Sequence, residues 1–433
     1  MGGSYITAER VEGLRRPRLL FLQPSLQPPG GGNAVAVCAL EVLKEDFEVT
    51  VMSWERVRLD AIHRDYAVRL EPRDFQTDYV SRAWPLLLRL FRLRGALLQR
   101  YVLMHGARRA TGRFDGVVSF DNEIDVGDVP TLQYVHYPWA NGTDVDLRAR
   151  LLYRVPGLMR AYRAVGRAIA AVSPAQIARN VTVVNSDWTG EQFRKLYGGT
   201  TTTVYPPLLG TSLPRPWEER DNVFLALGRF APYKRLEQII EIVARVRASG
   251  NPVRLVIVGS AEPHHAAYAR QVREMVAARP WIDLHENLSR PMLDELIGRV
   301  RYGLHAMPNE HFGMAAAEMT AAGCIPFLPG DGGQVEVVSR NEQLLYDGVD
   351  DAVAKIERVL NDEQLQRSLS AALIDSALRF RRDVFRERIR ALAAAAFGLV
   401  LVPSSEATLP VAGVPDHAGT GRGRVEKGAN ATL

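Results

Sequence analysis

Residues 309–318 combine two carboxylates with a glycine and a run of alanines, a pattern suited to binding a polar ligand. Glu310 precedes a predicted helix and Glu318 lies within it, with seven residues between them. Gly313 and Met314 fall at the amino end of that helix, where unpaired backbone N–H groups can hold a phosphate. Glu318 lies among alanines suited to close packing, so its carboxylate needs a partner, which ribose hydroxyls would supply. The alternative is a capping glutamate followed by an exposed one.

Residues 228–235 follow a predicted strand and contain the cations Arg229 and Lys234, with Arg235 after them. Arg229 would leave the strand tip, and Lys234 would lie in the first turn of the next helix. Positive charge in a first helical turn opposes the helix dipole, so its presence there indicates a bound anion. Two cations converging on one crevice suit a diphosphate leaving group. If both were instead solvated surface charges, as most Arg and Lys residues are, the segment would carry no site.

A glycine run, Gly30 to Gly32, follows the first predicted strand and precedes a helix predicted to begin near Ala34. Glycine lets the backbone approach a ligand closely, and the amino end of the helix offers N–H groups to it. The dinucleotide fingerprint G-x-G-x-x-G is not met, because Val35 occupies the last glycine position. This departure disfavours a dehydrogenase, and an ordinary tight turn is the alternative interpretation.

Short apolar runs alternate with longer helical patterns, which predicts an α/β protein built from parallel sheets. A proline-rich segment at 205–217 separates two such halves, and 433 residues are too many for one ordinary core. We therefore expect two facing, doubly wound, Rossmann-like domains with a ligand cleft at the carboxyl ends of their strands. The predicted strands are residues 18–24, 47–54, 116–120, 131–137, 181–185, 222–228, 253–259, 282–285, 302–307 and 324–328.

The same pattern sets the predicted domain boundaries. Residues 1–205 form the N-terminal domain and residues 206–375 form the second domain. An arginine-laced helical pattern from about 370 to about 398 predicts a C-terminal helix over 376–400 that packs back on the N-terminal domain. Residues 401–433, rich in Gly, Ser, Thr, Pro and Ala, are expected to be a disordered tail.

The composition is that of a folded protein, with 47% hydrophobic and 24% charged residues. The formal charge of +5 suits an anionic ligand or an anionic surface without choosing between them. Cys38 and Cys324 both lie in apolar runs, which gives no disulfide framework or structural zinc site and favours a reducing compartment. His264 and His265 form the only histidine cluster in the sequence, and we expect no metal there.

The N-terminus lacks the apolar core of a signal peptide, and no window of about 18 uncharged apolar residues occurs, so we expect a cytoplasmic protein. Two arginine-rich apolar stretches, 82–113 and 147–170, fit either packed surface helices or peripheral contact with the inner face of an anionic membrane. Nucleic-acid binding is not expected, because the positive charge is spread and no recognised module occurs.

The glycine run, Arg229 with Lys234, and the two glutamates together resemble glycosyltransferase family 4, which has the GT-B fold. The resemblance extends from about residue 18 to about residue 397. The chain departs from its nearest relatives in the family at 334–336, after a glycine pair. Four segments resemble the eukaryotic α-1,2-mannosyltransferases that extend the lipid-linked oligosaccharide, namely 134–138, 184–189, 204–207 and 309–313.

The resemblance implies that the second domain binds a nucleotide-sugar donor. Arg229 and Lys234 would act in catalysis by neutralising the donor diphosphate. Glu310 would hold hydroxyls of the transferred sugar, and Glu318 would hold the ribose. The segment at the helix amino end would contact the sugar and the phosphates, and it comprises His311, Phe312, Gly313 and Met314.

For the first domain, the resemblance implies an acceptor side to the same cleft. Ser186 would reach the diphosphate, and Gly31 and Gly32 would line the donor site. His136 would lie over the sugar, where it would contact the sugar or the incoming acceptor. A histidine satisfied by hydrogen bonds at a strand end is the alternative for His136.

The resemblance thus implies a retaining hexosyltransferase that needs no metal and no cofactor. Mannose from GDP-mannose would move to a hydroxyl of a glycan or a lipid-linked glycan. A UDP-sugar donor with a soluble or secondary-metabolite acceptor is an alternative, since no residue that reads the base can be identified. Two further alternatives are a sugar-nucleotide binding protein without turnover and a phosphorylase with lysine-bound pyridoxal phosphate.

Overall fold

The fold is described from a computed structural model that covers residues 15–28, 30–79, 96–139, 164, 166, 170–210 and 214–399. Within these residues the chain forms two β-sheets, one of seven strands and one of six, with helices connecting the strands. All the described strand pairs are parallel. The strands of a parallel sheet are buried on both faces, which is why most of them read as continuous apolar runs.

The first sheet is built from the N-terminal half of the chain. Its strands are β1 Arg18–Leu22, β2 Glu48–Ser53, β3 Phe75–Tyr79, β4 Gly116–Ser119, β5 Thr131–Val135, β6 Val181–Val184 and β7 Thr202–Thr203. They lie in the order β3-β2-β1-β4-β5-β6-β7. The described helices of this half are α1 Gly31–Leu43, α2 Leu59–Tyr66, α3 Ala96–Ala110, α4 Pro174–Arg179 and α5 Asp187–Tyr197.

The second sheet repeats the scheme. Its strands are β8 Asp221–Leu227, β9 Arg254–Gly259, β10 Ile282–Glu286, β11 Val300–Leu304, β12 Ile325–Pro329 and β13 Leu345–Tyr346. They lie in the order β10-β9-β8-β11-β12-β13. The helices of this half are α6 Leu236–Ala248, α7 Ala266–Ala277, α8 Arg290–Arg299, α9 Met314–Ala321, α10 Gln334–Val337, α11 Gly348–Leu360, α12 Glu363–Ala377 and α13 Arg382–Phe397.

Every strand predicted from the sequence is present, and the predicted α/β architecture is confirmed. The sequence analysis missed β3, β7 and β13. The first is an edge strand with exposed polar residues at its centre, and the other two are two residues long, so none of them carries an apolar run. The single helical pattern over 370–398 proves to be two helices, because a 3₁₀ turn at Leu378–Phe380 separates α12 from α13.

The last helix, α13, lies against the first domain although it follows the second along the chain. Phe385, Ile389 and Ala393 are buried in the same core cluster as the apolar face of α1. Arg390 Nε lies 2.6 Å from Asp46 Oδ2 and fixes the contact at the surface. The chain therefore passes between the two domains at the linker and again just before α13. The predicted tail, 401–433, lies outside the described residues.

Candidate functional site

In each sheet the strand order reverses at one point, and the predicted motifs follow the strands at that point. β1 lies between β2 and β4, and β8 lies between β9 and β11. The glycine run follows β1, Arg229 follows β8, and Glu310 follows β11. Connections leave such neighbouring strands toward opposite faces and open a crevice in which doubly wound sheets bind ligands.

A cavity of about 680 Å³ lies at this place and is lined by both domains. We call it the interdomain cavity. Of the predicted site residues, only Ser186 and Glu318 are absent from its lining. From the first domain it is lined by residues that include Gly31, Gly32, Arg100, Asp121, Asn122 and His136, and from the second by Arg229, Lys234, His305, Glu310, His311, Phe312, Gly313 and Met314.

The amino ends of two helices, one from each domain, approach each other across this cavity. α1 begins at Gly31, three residues before the predicted start, so both lining glycines belong to its first turn. A Cβ on Gly31 would lie 3.2 Å from the Cγ of Met314, the first residue of α9. A Cβ on Gly32 would lie 3.4 Å from Nε2 of His136. A side chain at Gly31 would therefore press on Met314, whereas one at Gly32 would only touch His136. The N–H groups of both helix ends lack helical partners.

Lys234 is the cation that lies deepest in the cavity wall. It ends a 3₁₀ turn, Pro232–Lys234, and α6 begins only at Leu236, so the prediction that it lies in the first turn of an α-helix was wrong. Its Nζ donates to Glu310 Oε2 at 2.6 Å. The structure therefore accounts for this cation by an ion pair, and no unfavourable helix dipole needs to be invoked.

Glu310 is held from two sides. In addition to Lys234, His305 Nε2 lies 3.2 Å from its Oε2. Burial by itself would raise the pKa of Glu310, but the Lys234 charge and the bond to His305 hold that pKa well below the usual value. Burial and the Lys234 charge lower the pKa of His305, which favours a neutral ring that donates its Nε2 proton to the carboxylate. His305 was missed by the sequence analysis, because a histidine at the end of a strand carries no pattern of its own.

Arg229 lies at the same end of the cavity and is about half exposed. Its Nη1 lies 3.2 Å from Glu262 Oε1, and its guanidinium lies 5.7 Å from the ring centre of Tyr233. Lys234 Nζ lies 5.9 Å from the centre of the same ring. The two cations thus lie on either side of one tyrosine. They also line one cavity, as expected for a pair that acts on a single anion.

Glu318 has a protein partner that the sequence analysis did not identify. It is 9% exposed, and its Oε1 accepts from Nη1 of Arg290 at 2.9 Å. Arg290 also pairs with Asp294 through Nη2, at 2.5 Å. Burial raises the pKa of Glu318 although the neighbouring arginine opposes this. Arg290, from α8, is thus a partner for the carboxylate within the protein, and the contact of Glu318 with a ribose stays a prediction.

Ser186 does not reach the cavity. Its side chain is fully buried, its Oγ donates to the carbonyl oxygen of His311 at 2.7 Å, and it accepts from the N–H of Thr189 at 3.1 Å as the N-cap of α5. In this geometry the hydroxyl joins the two domains, and its contact with a diphosphate stays a prediction.

His136 lies at the end of β5 and is half-buried. Its Nε2–H donates to the carbonyl oxygen of Phe120 at 3.0 Å, and its main-chain N–H donates to Asn122 Oδ1 at 2.7 Å. Burial lowers the pKa of His136 to about 4. The ring is therefore neutral at physiological pH, and with Nε2 committed to a carbonyl it is not a proton donor at that atom. The ring still lines the cavity and can contact a sugar or an acceptor there. The two interpretations drawn from the sequence, a ligand contact and a histidine satisfied by hydrogen bonds, are therefore compatible.

An arginine–aspartate pair on the first domain completes the wall. Arg100 Nε lies 2.5 Å from Asp121 Oδ2, and its Nη2 lies 2.8 Å from Oδ1. The same guanidinium lies 4.9 Å from the ring centre of Trp139. Neither Arg100 nor Asp121 was predicted to be a site residue. Arg100 belongs to the stretch 82–113, which was assigned to packing or to membrane contact.

The stretches considered for membrane contact are described only in part. Residues 82–95 and 147–163 lie outside the described residues. In α3, the residues Tyr101, Leu103 and Met104 are buried in a core cluster against β1 and β2, so this described part is a packed helix. Among the residues that the structure describes, no helix is both long and apolar enough to span a bilayer.

Residues 214–374 match the family model described as "Glycosyl transferases group 1". The matched segment contains the second sheet together with Arg229, Lys234 and both glutamates. This segment is therefore similar to group 1 glycosyl transferases. The resemblance drawn from the motifs is confirmed by this match.

Curated relatives of this chain carry the name GDP-Man:Man(3)GlcNAc(2)-PP-Dol alpha-1,2-mannosyltransferase. The protein from Neurospora crassa is 26% identical over an alignment of 259 positions, gaps included, that covers 48% of this chain and 45% of that protein. The protein from Mus musculus is 24% identical over an alignment of 404 positions that covers 80% of each. The chain thus spans about half the length of the Neurospora relative and four-fifths of the mouse relative.

The likeness to solved structures extends over both domains, not only over residues 214–374. The Anabaena HepE complex with UDP and glucose has a TM-score of 0.62 at 13% identity, and the likeness covers 88% of this chain and 100% of that one. The lipopolysaccharide glycosyltransferase WaaG has a TM-score of 0.59 at 16% identity, with coverage of 86% and 98%. These likenesses confirm the predicted GT-B fold of two facing α/β domains.

Proposed function

We propose that this protein is an enzyme that transfers a hexose from a nucleoside-diphosphate sugar to a hydroxyl of an acceptor. The observation that carries the proposal is the convergence of Lys234, Arg229 and the amino end of α9 on one cavity between two domains. Cations and helix N–H groups are the donors that stabilise charge developing on a leaving diphosphate. The match of residues 214–374 to the glycosyltransferase model supports the same reaction class.

In the proposed reaction the bond between the sugar C1 and the diphosphate oxygen breaks. A bond from C1 to the acceptor oxygen forms on the same face, and the acceptor proton passes to the leaving diphosphate oxygen. Lys234 has three N–H donors, so it can bind the diphosphate while it keeps its bond to Glu310. Glu310, ionised because its pKa is lowered, would accept from hydroxyls of the sugar, and neutral His136 would face the sugar from the other wall.

Retention of configuration and independence from metal are parts of this proposal. Two cations and a helix amino end supply the positive charge that a divalent ion supplies in other transferases. A turnover that survives treatment with EDTA, and a product with the anomeric configuration of the donor, are therefore expected. A cytoplasmic location is proposed with them, and contact with an anionic membrane remains a proposal for residues 82–95 and 147–163.

The proposed donor is GDP-mannose and the proposed acceptor is a glycan or a lipid-linked glycan. The names of the curated relatives support both choices, including the mouse relative that aligns over 80% of the chain. A UDP-sugar with a different acceptor is the alternative outcome. Thermal shift and slow donor hydrolysis with GDP-mannose, GDP-glucose, UDP-glucose and UDP-galactose would distinguish them.

The Lys234→Ala variant tests the proposed function. With whichever donor is turned over, we expect the variant to lose about 10²- to 10³-fold in kcat, as other enzymes do when one well-placed donor to a developing charge is removed. Lys195→Ala is the matched control, since Lys195 is exposed on α5 away from the cavity, and it should keep wild-type turnover. Equal rates for Lys234→Ala and the wild-type protein would contradict the proposal, as would the absence of binding to every nucleotide in the panel.

A further inference from the structure

One glutamate of the second domain binds the amino end of a helix of the first. Glu336, on α10, is 3% exposed. Its Oε2 accepts from the N–H of Asp187 at 3.0 Å, and its Oε1 accepts from the N–H of Trp188 at 3.0 Å. Asp187 and Trp188 are the first two residues of α5, so both N–H groups lack partners within their own helix. A carboxylate at this position is favoured by the helix dipole as well.

The linker between the domains adds a third donor to the same carboxylate. The hydroxyl of Tyr205 donates to Glu336 Oε2 at 3.1 Å. The Glu336 carbonyl oxygen accepts from Arg379, which lies just before α13, and Arg340 Nη2 lies 3.9 Å from its Oε1. The amino end of α5, the linker and the segment before α13 therefore all contact this one residue.

The contact continues to the wall of the interdomain cavity. Ser186, next to Asp187, donates to the carbonyl oxygen of His311, which lies in the cavity lining. Gly333, just before α10, donates its N–H to the carbonyl oxygen of Glu310 at 2.8 Å. A Cβ on Gly333 would lie 2.0 Å from the His311 carbonyl oxygen and 2.5 Å from Ser186 Oγ, so the three segments are in closest contact here.

Aromatic rings extend the same junction. The Tyr137 ring, from the first domain, stacks on the His311 ring with centres 4.2 Å apart and planes at 2°. Trp188, also from the first domain, lies with its ring centre 5.7 Å from that of Tyr137 and 6.2 Å from that of His311, with planes at 12° and 13°. The main-chain N–H of Trp188 donates to the Glu336 carboxylate. Glu336 therefore fixes the backbone of a residue whose ring packs against Tyr137.

We propose that Glu336 is a positioning residue that holds the two walls of the interdomain cavity in register. By binding the amino end of α5 it keeps Ser186 and Trp188 against the loop 309–313, which carries Glu310 and leads into α9. Hydrogen bonds to a charged acceptor are stronger than hydrogen bonds between neutral groups. Because water can replace them, they favour this contact between the two domains without making it permanent. Its effect on turnover rests on the proposed function, whereas its effect on the junction does not.

Hydrogen exchange in the full-length Glu336→Gln variant, without ligand, tests the proposal. Glutamine has the same shape but loses the charge and offers one acceptor oxygen for two N–H groups. We expect amide exchange in residues 187–189 and 309–313 to accelerate by about tenfold or more, because opening of the junction becomes easier. Amides of β1 and β8 should keep their wild-type rates. Glu342→Gln, an exposed change in the same loop region, is the matched control and should alter none of these rates.

Two outcomes would overturn the proposal. One is an unchanged rate at residues 187–189 in Glu336→Gln, and the other is acceleration confined to the second domain, as a purely local structural role would give. If Glu336→Gln fails to fold, Tyr205→Phe removes a single donor to the same carboxylate. It should accelerate the same amides by a smaller factor, and wild-type rates in it would overturn the proposal.

Kinetics separate positioning from binding. The groups proposed to hold the nucleoside diphosphate belong mostly to the second domain, so the Kd of Glu336→Gln for GDP and for UDP should stay within about twofold of wild type, while kcat should fall about tenfold. A Kd that rises in parallel with the loss of kcat would contradict a positioning role. If no donor is turned over by the wild-type protein, the proposed function fails, and the exchange rates alone still decide whether Glu336 holds the junction.

Discussion

At the scale of residues, the cavity is organised around paired charges. Lys234 and Glu310 neutralise each other in part, and His305 supports the carboxylate from the opposite side. Such a network holds each group in a fixed orientation before a ligand arrives, which is the condition for electrostatic stabilisation of a transition state. Arg229, about half exposed, pairs with Glu262 at the same end of the cavity.

The protonation of His136 gives a prediction that needs no substrate. Burial lowers its pKa to about 4, below the value of about 6.5 for an exposed histidine. Because the folded state favours the neutral ring, the stability that His136 contributes is complete above pH 6.5 and is lost as the pH falls toward 4. Histidine proton shifts in NMR, assigned with a His136→Gln variant, should show a ring that stays neutral at pH 6. A midpoint between 6 and 7 for this ring would contradict the burial and the bond to Phe120.

At the scale of elements, the site depends on loops and helix ends that touch without room for a side chain. Gly333 has an ordinary helical φ of −73°, so a substitution there meets no backbone strain and only the close neighbours matter. The loop 309–313, the segment before α10 and the amino end of α5 are held together at this residue. The packing of these three segments thus fixes the position of the Glu310 carboxylate.

A Gly333→Ala change measures how tightly these elements pack. The new Cβ would lie 2.0 Å from the His311 carbonyl oxygen, so the junction must separate, and the free energy of unfolding should fall by about 3 kcal/mol, at the upper end of typical overpacking costs. Urea denaturation gives this value. Gly112→Ala is the control, since nothing lies within 4 Å of the added Cβ, and it should change stability by less than about 0.5 kcal/mol. Equal stabilities of the two variants would refute the close contact.

The buried strands and the helix of Met314 were predicted because apolar runs and a glycine before a helix are local signals. The start of α1 was misplaced because glycine is a poor helix former, although at Gly31 a side chain would press on Met314. The 3₁₀ turn before α6 was read as helix because a proline at the first position, here Pro232, also begins α-helices.

The partners of the charged groups could not be predicted from local patterns. Arg290 lies 28 residues before Glu318, and Glu336 lies 149 residues after Asp187, so only the three-dimensional fold brings each pair together. The sequence marked 334–336 as a departure from relatives but gave no reason for it. The structure supplies one for Glu336, since its carboxylate spans the domain boundary.

At the scale of the whole molecule, two similar sheets face each other with their strand ends toward a shared cavity. The chain passes between the domains twice, and α13 packs on the first domain after the second is complete. The two crossings lie side by side, because the Leu208 N–H in the linker donates to the carbonyl oxygen of Phe380 at 3.0 Å. The proposed transfer needs both walls, because the donor groups lie mostly on the second domain and His136 and the glycines of α1 lie on the first.

The central claim is that a diphosphate binds between these two walls, and a crystal structure with a bound nucleotide tests it most directly. GDP or UDP, whichever raises the melting temperature more, is the ligand to use. The account predicts diphosphate oxygens at about 3 Å, a hydrogen-bond distance, from Lys234 Nζ and from the N–H groups of Gly313 and Met314. A nucleotide bound elsewhere on the protein, with Lys234 and the amino end of α9 free of contact, would contradict the account.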